Sequence, residues 1–235
     1  MVRLGNFLFH YRNILFPLFY ALLFLPSPLL FSNGLPMLIA GFIIGLSGQL
    51  TRMTTIGLVY IIRGGRDRRV YAEDLVTTGI FSHCRNPLYV GNILMITGLG
   101  LMSNSRIFIF LLIPLFLFFY QAIVRAEENF LDNKFGEPYR EYMRKVNRWV
   151  PGLRGIGSTL RSMTFRWKRV WIKEYGTTLI WSTAALWLIG KYIQEQAGWV
   201  ALGEKLPALL IAQLVLITLY LFVRYKKKTK QWKAD

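Results

Sequence analysis

Two short clusters in this 235-residue sequence pair residue types that could act on a small charged molecule. The first is Arg85-Asn86-Pro87. Asparagine followed by proline reads as the N-cap and first residue of a helix, which sets Arg85 beside the partially positive helix start. Backbone donors and one guanidinium there make a carboxylate or phosphate site; the competing reading is an arginine that marks the cytoplasmic end of a membrane span. The second cluster is Arg125-Ala126-Glu127-Glu128. Its adjacent carboxylates either form structural ion pairs with Arg125, Arg140 or Arg144, or present negative charge to a bound cation.

The elements that must position these residues follow from composition. Hydrophobic residues make up 54% of the chain and charged residues 17%, with a mean hydropathy of +0.36. Soluble domains carry roughly 25% charged residues, so a single soluble enzyme is excluded, and so apolar a chain is not disordered. One cysteine, Cys84, rules out a disulfide framework and a multi-cysteine metal site, and two histidines, His10 and His83, leave little for a zinc enzyme. No metal is expected, and His83 and Cys84 are read as structural.

No charged residue lies between Arg12 and Arg52, a run that accommodates two spans, Ile14 to Phe31 and a second from Leu35. A bilayer core of about 30 Å needs about 20 apolar residues per helix. Further uncharged runs cover 86–105, 107–124, 175–190 and 206–223. The fold class is therefore all-α: a polytopic membrane protein with about six transmembrane helices and a cytoplasmic helical cap. Pro17, Pro26 and Pro28, and the span that follows, argue against a cleaved leader. With the N-terminus inside, all of the 29 basic residues except Arg106, Lys191 and Lys205 fall on the cytoplasmic side. That asymmetry puts both termini in the cytoplasm and assigns the charge to topology rather than to nucleic acid.

Two cytoplasmic segments, 63–87 and 125–174, exceed simple connectors and are expected to carry function. The first opens on the basic run Arg63 to Arg69. The second breaks at Phe135-Gly136-Glu137-Pro138, where glycine ends one helix and proline starts the next. From Ser158 to Glu174, Leu160, Met163, Trp167, Val170 and Trp171 share one face against basic neighbours, the pattern of an interfacial helix on an anionic leaflet. Residues 1–174 then form a four-span core, and 175–235 two additional helices and a basic tail.

Taken together, Thr77-Thr78-Gly79, Arg85-Asn86-Pro87-Leu88-Tyr89-Val90-Gly91, Glu127-Glu128-Asn129-Phe130-Leu131, Phe135-Gly136-Glu137-Pro138-Tyr139, Tyr142 and Arg148-Trp149-Val150-Pro151 resemble the integral-membrane methyltransferases of the isoprenylcysteine carboxyl methyltransferase and phospholipid N-methyltransferase superfamily. The resemblance covers residues 75–152. It implies an active site on the cytoplasmic face that binds S-adenosylmethionine and methylates a lipophilic acceptor among the membrane lipids, an isoprenylcysteine carboxylate or a phospholipid amine. Carried over by position, Arg85, Asn86, Pro87, Tyr89, Gly91, Glu127 and Glu128 hold the cofactor, and Glu127, Glu128 and Arg125 form the catalytic set. Asn86 stands where many members have histidine, which removes a proton-transfer role there. Gly91 either admits the ligand to the backbone or serves helix packing. Catalysis would be an in-line displacement of methyl from the sulfonium by an oxygen or nitrogen nucleophile, with most of the acceleration from positioning and water exclusion. An NADPH-dependent sterol-type reductase ranks below this, since no phosphate-cradling glycine motif is present. A membrane scaffold or transporter without cofactor is the third reading.

Overall fold

A computed structural model describes residues 1–59 and 72–232, so the basic run at 63–69 lies outside the described residues. The chain is helical: α1 Val2–Leu22, α2 Leu35–Leu58, a 3-10 turn Gly79–Ser82, α3 Pro87–Met102, a π turn Phe108–Leu112 leading into α4 Ile113–Phe135, α5 Glu137–Lys145, α6 Ile156–Ser162 and α7 Trp167–Lys228. Among the described residues the sole β feature is one isolated bridge, between Leu29 and Ser105.

Among the described residues three elements are long and apolar enough to cross a membrane: α2, the π turn with α4, and the 62-residue α7; the expected six spans are not confirmed. α3 is apolar but has 16 residues, short of a bilayer crossing. The first expected span is displaced. α1 starts at Val2 and takes Arg3 and Arg12 into the helix, and it ends at Leu22 because Pro26 and Pro28 follow. Arg52, expected in a loop, lies inside α2 and is buried.

Helix ends follow local chemistry. Pro87 sits in the first turn of α3, and Gly136, at φ +63°, ends α4 where the sequence broke. The expected interfacial helix over 158–174 is instead two pieces. α6 stops at Ser162, and residues 163–166 are extended enough for Phe165 to pack on Gly57 before α7 starts at Trp167. α7 runs without interruption through the boundary expected at 174/175, then reverses at Gly198, where φ is +86°. Its arms, 167–197 and 199–228, meet through Trp187 Nε1 donating to Gln213 Oε1 at 3.2 Å and Gln213 Nε2 donating to Thr183 Oγ1 at 3.1 Å.

α2 lies directly on α3. A Cβ on Gly98 would come within 2.4 Å of Gly45 N, and one on Gly91 within 2.8 Å of Gly48 O and 2.5 Å of Arg52 Cγ. Small residues that let two backbones approach are the usual basis of helix pairing in lipid, where no hydrophobic force acts between helices. α1 packs on α4, and α7 on α2 and α3. The core between them is aromatic, with Phe19, Phe108, Phe116 and Tyr120 buried.

Candidate active site

The site is built where α3 begins and α4 ends. Tyr89, in the first turn of α3, reaches α4, and its hydroxyl donates to Glu127 Oε1 at 2.6 Å. Residues 147–152 return from α5 and lie along 83–86: Arg85 N donates to Asn147 O at 2.9 Å, Asn86 Nδ2 to Arg148 O at 3.3 Å, and Gly152 N to His83 O at 2.8 Å. This return places Arg148 over the glutamate pair. Its Nε and Nη2 donate to the two oxygens of Glu128 at 2.9 and 2.5 Å, a bidentate fork. Arg85 Nη1 stands 3.3 Å from Glu128 Oε1.

The two carboxylates therefore have different roles. Glu128 is buried between two guanidiniums and fixes Arg85 in place. Glu127 accepts one bond from a neutral phenol and faces a cavity. Its partners are not those expected of the pair from sequence: Arg140 bridges to Asp132 and Glu137, Arg144 bridges to Glu137, and Arg125 is exposed on α4. The Arg85 Nε is buried with no hydrogen-bond partner among the described residues. A buried donor left unmet costs about 1–3 kcal/mol, and this one points to a ligand.

The cavity has a volume of about 990 Å³ and is lined by Arg85, Asn86, Pro87, Tyr89, Glu127 and Glu128. Six of the eight residues singled out from sequence thus share one wall. The other two do not line it. Gly91 faces α2, where its missing side chain makes room for Gly48 and the Arg52 stem, so the packing alternative is the one seen. Arg125 is exposed on α4 and does not line the cavity.

Sequence reasoning missed a second charged cluster on the same cavity. Arg52 Nε and Nη2 donate to Glu174 at 2.8 Å each, its Nη1 bonds Asn92 Oδ1, and the two charged side chains are 4% and 1% exposed. Arg52, Asn92 and Tyr120 line the cavity from α2, α3 and α4. The available signal was Asn92 itself, an amide one turn beyond Tyr89 in an otherwise apolar run.

His83 and Cys84 hold the return segment. The His83 Nδ1 lies 2.7 Å from Gly152 O and its Nε2 2.9 Å from Thr159 Oγ1. Burial pushes the Cys84 thiol above its ordinary pKa, against the opposing pull of an Asn86 backbone bond and Arg85. Burial likewise raises the phenols of Tyr139 and Tyr142, and Tyr142 donates to Phe81 O at 2.7 Å, closing α5 over the cavity.

Residues 33–138, which hold α2, α3, α4 and the start of α5, match the phospholipid methyltransferase family. That stretch is a little under half of the chain, and over it the chain is similar to this family. The match begins earlier than the motifs, taking in α2 and with it Arg52. Three curated relatives each match part of the chain. The nickel-cobalt-cadmium resistance protein NccN of Alcaligenes xylosoxydans xylosoxydans is 36% identical over 101 residues, 43% of this chain and 46% of the relative. The cobalt-zinc-cadmium resistance protein CzcN of Cupriavidus metallidurans is 43% identical over 79 residues, 34% and 36% of the two chains. The protein-S-isoprenylcysteine O-methyltransferase of Schizosaccharomyces pombe is 30% identical over 77 residues, 33% of each chain. The matched segments span less than half the length of each of these relatives. No solved structure matches the chain significantly.

Proposed function

We propose that this protein transfers a methyl group from S-adenosylmethionine to a lipophilic acceptor at the cytoplasmic face of a membrane. The observation that carries the reading is the unmet Arg85 Nε beside Glu127 in one cavity. S-adenosylmethionine would supply an electrophilic methyl group on a sulfonium, together with a carboxylate and an ammonium. The residues present fit that set of charges. Arg85, held by Glu128 and Arg148, binds the carboxylate through its free donor. Glu127, held by Tyr89, meets a cationic centre, and Phe16, Tyr89 and Tyr120 line the same cavity with ring faces that attract cations. Ligand pockets run from about 300 to 1,000 Å³; this one stands at the upper end, with room for a cofactor and an acceptor head group. α5 flanks one side of it, with Tyr139 in its lining.

The acceptor's route is supported by the wall opposite. Asn13 and Pro17 of α1 and Gly176 and Ile180 of α7 line the cavity, and Asn13, Pro17 and Ile180 are also exposed. A side chain at Gly176 would meet nothing within 4 Å. An apolar substrate can pass there from the bilayer without entering water. The basic-residue asymmetry supports a cytoplasmic site and termini. The resistance in the names of two relatives belongs to those proteins, and among the described residues no three His, Cys, Asp or Glu side chains gather as a metal site.

Membranes with and without the protein, incubated with methyl-labelled S-adenosylmethionine and extracted, test the reading. A labelled lipid or lipidated product found only with the protein is expected; its absence overturns the proposal. Thiol labelling of Asn33→Cys and Trp199→Cys from the external side tests the topology, and labelling only from the cytosol would reverse it.

A further inference from the structure

A second cavity, of about 490 Å³, lies on the other flank of α3 and α4. Val90, Ile93, Leu94, Leu117 and Phe118 line it, and Gln121 and Trp149 close one end. Its only polar contact at that end is internal: Trp149 Nε1 donates to Gln121 Oε1 at 3.2 Å. The groove therefore offers a ligand hydrocarbon contact and an indole ring, with no charge to read.

Its surroundings identify the occupant. α4 is one of the helices long and apolar enough to cross a membrane, and Leu117 and Phe118 point outward from it, exposed. The chain segment that carries Trp149 continues outward as Val150 and Leu153, which are 69% and 76% exposed. Aliphatic side chains this open, on the same face as a membrane-crossing helix, face lipid. Trp149 sits where its ring can be apolar and its N–H satisfied, as tryptophans do at the bilayer interface.

The residue before Trp149 is Arg148, which forks onto Glu128, and Glu128 in turn holds Arg85. Whatever fills the groove packs against Trp149, the next residue in the chain after that fork. We infer that the α3–α4 groove binds a single hydrocarbon chain of a bilayer lipid, and that this chain, by seating Trp149, holds Arg148 and Glu128 in the position that presents Arg85 to the cavity. The site is distinct from the acceptor's route, which lies between α1 and α7. Trp149 is a positioning residue in this account. The second half of the inference rests on the cofactor reading above, whereas the first half does not.

The test uses purified full-length protein in mild detergent. Native mass spectrometry counts the phosphatidylcholine molecules retained, and calorimetry measures S-adenosylmethionine affinity after delipidation and again after phosphatidylcholine is restored. Leu117→Trp fills the groove from an exposed position, and Val90→Phe fills it from α3. Wild-type protein is expected to retain one more lipid than either variant. Restored lipid should tighten its cofactor binding about tenfold, the scale of one well-placed charged hydrogen bond. The variants should bind cofactor tightly without lipid and show no response to it. A structural role for Trp149 alone would change melting temperature without this lipid response. Equal lipid counts in wild type and variants overturn the groove as a binding site. A lipid difference without any effect on cofactor affinity overturns the positioning role. If no form binds S-adenosylmethionine, the methyl-transfer reading fails and the positioning role with it, while the lipid count still decides the groove.

Discussion

Two buried arginine–glutamate clusters border the same cavity and differ in how completely they are satisfied. Arg52 gives its Nε and Nη2 to Glu174 and its Nη1 to Asn92 and Leu88 O, so both ions are consumed by α2, α3 and α7. In the other cluster Glu128 is shared by Arg148 and Arg85, and Arg85 retains an unbonded Nε. Removing one partner of a closed pair strands a charge. Removing a donor that the protein itself does not use leaves the fold almost as it was. The first cluster is thus a fastener between helices, and the second keeps the donor that the proposed function assigns to the cofactor.

The largest effect is expected where the fastener is cut. Glu174→Ala leaves Arg52 buried without its counter-ion and should lower stability by about 3–5 kcal/mol, read as a fall in melting temperature in detergent; an unchanged midpoint would erase the contrast. Arg85→Ala should weaken S-adenosylmethionine binding by about 1.5–3 kcal/mol, roughly tenfold to a hundredfold, with a near-native melting temperature because Arg148 still neutralises Glu128. Calorimetry that gave wild-type affinity would show that Arg85 does not serve the ligand. Gly91→Val sharpens the boundary between fold and site. Forcing a branched side chain against Gly48 O should cost about 1–3 kcal/mol of stability while binding per folded molecule is kept, and the opposite pattern would move the site onto the α3 backbone. Arg125→Ala, on the exposed side of α4, should change stability by less than about 0.5 kcal/mol and leave affinity intact. Loss of affinity there would restore Arg125 to the catalytic set.

What could be read from the sequence was residue chemistry at helix ends. Arg85, Asn86, Pro87 and Tyr89 reach the cavity because a proline start is a local signal and they stand beside it, while Glu127 and Glu128 reach it from α4 about two turns before its glycine stop. The partners were not legible. Arg148 reaches Glu128 only after the chain turns at Gly136 and folds back over 83–86, and no spacing rule encodes that return. Glu174 was read as the last residue of a surface helix, because hydropathy averages a window and cannot see that one acid meets Arg52 from another helix. The span boundaries suffered from the same averaging. A charged residue was taken to end a span, yet Arg3, Arg12 and Arg52 are all inside helices. Gly91 was ambiguous because close approach to a ligand and close approach to a helix require the same missing side chain.

The reversal at Gly198 bears on how the protein is made. With Gln213 hydrogen-bonded to Thr183 and Trp187 across the two arms, either arm threaded alone into hydrocarbon would carry an unsatisfied amide, hydroxyl or indole, each costly where no water can bond it. Gly198 joins the arms with no intervening loop. Inserted together as one hairpin, the arms satisfy these groups on each other. The wall that α7 gives the cavity therefore depends on the pairing of its arms as well as on the Arg52–Glu174 bridge.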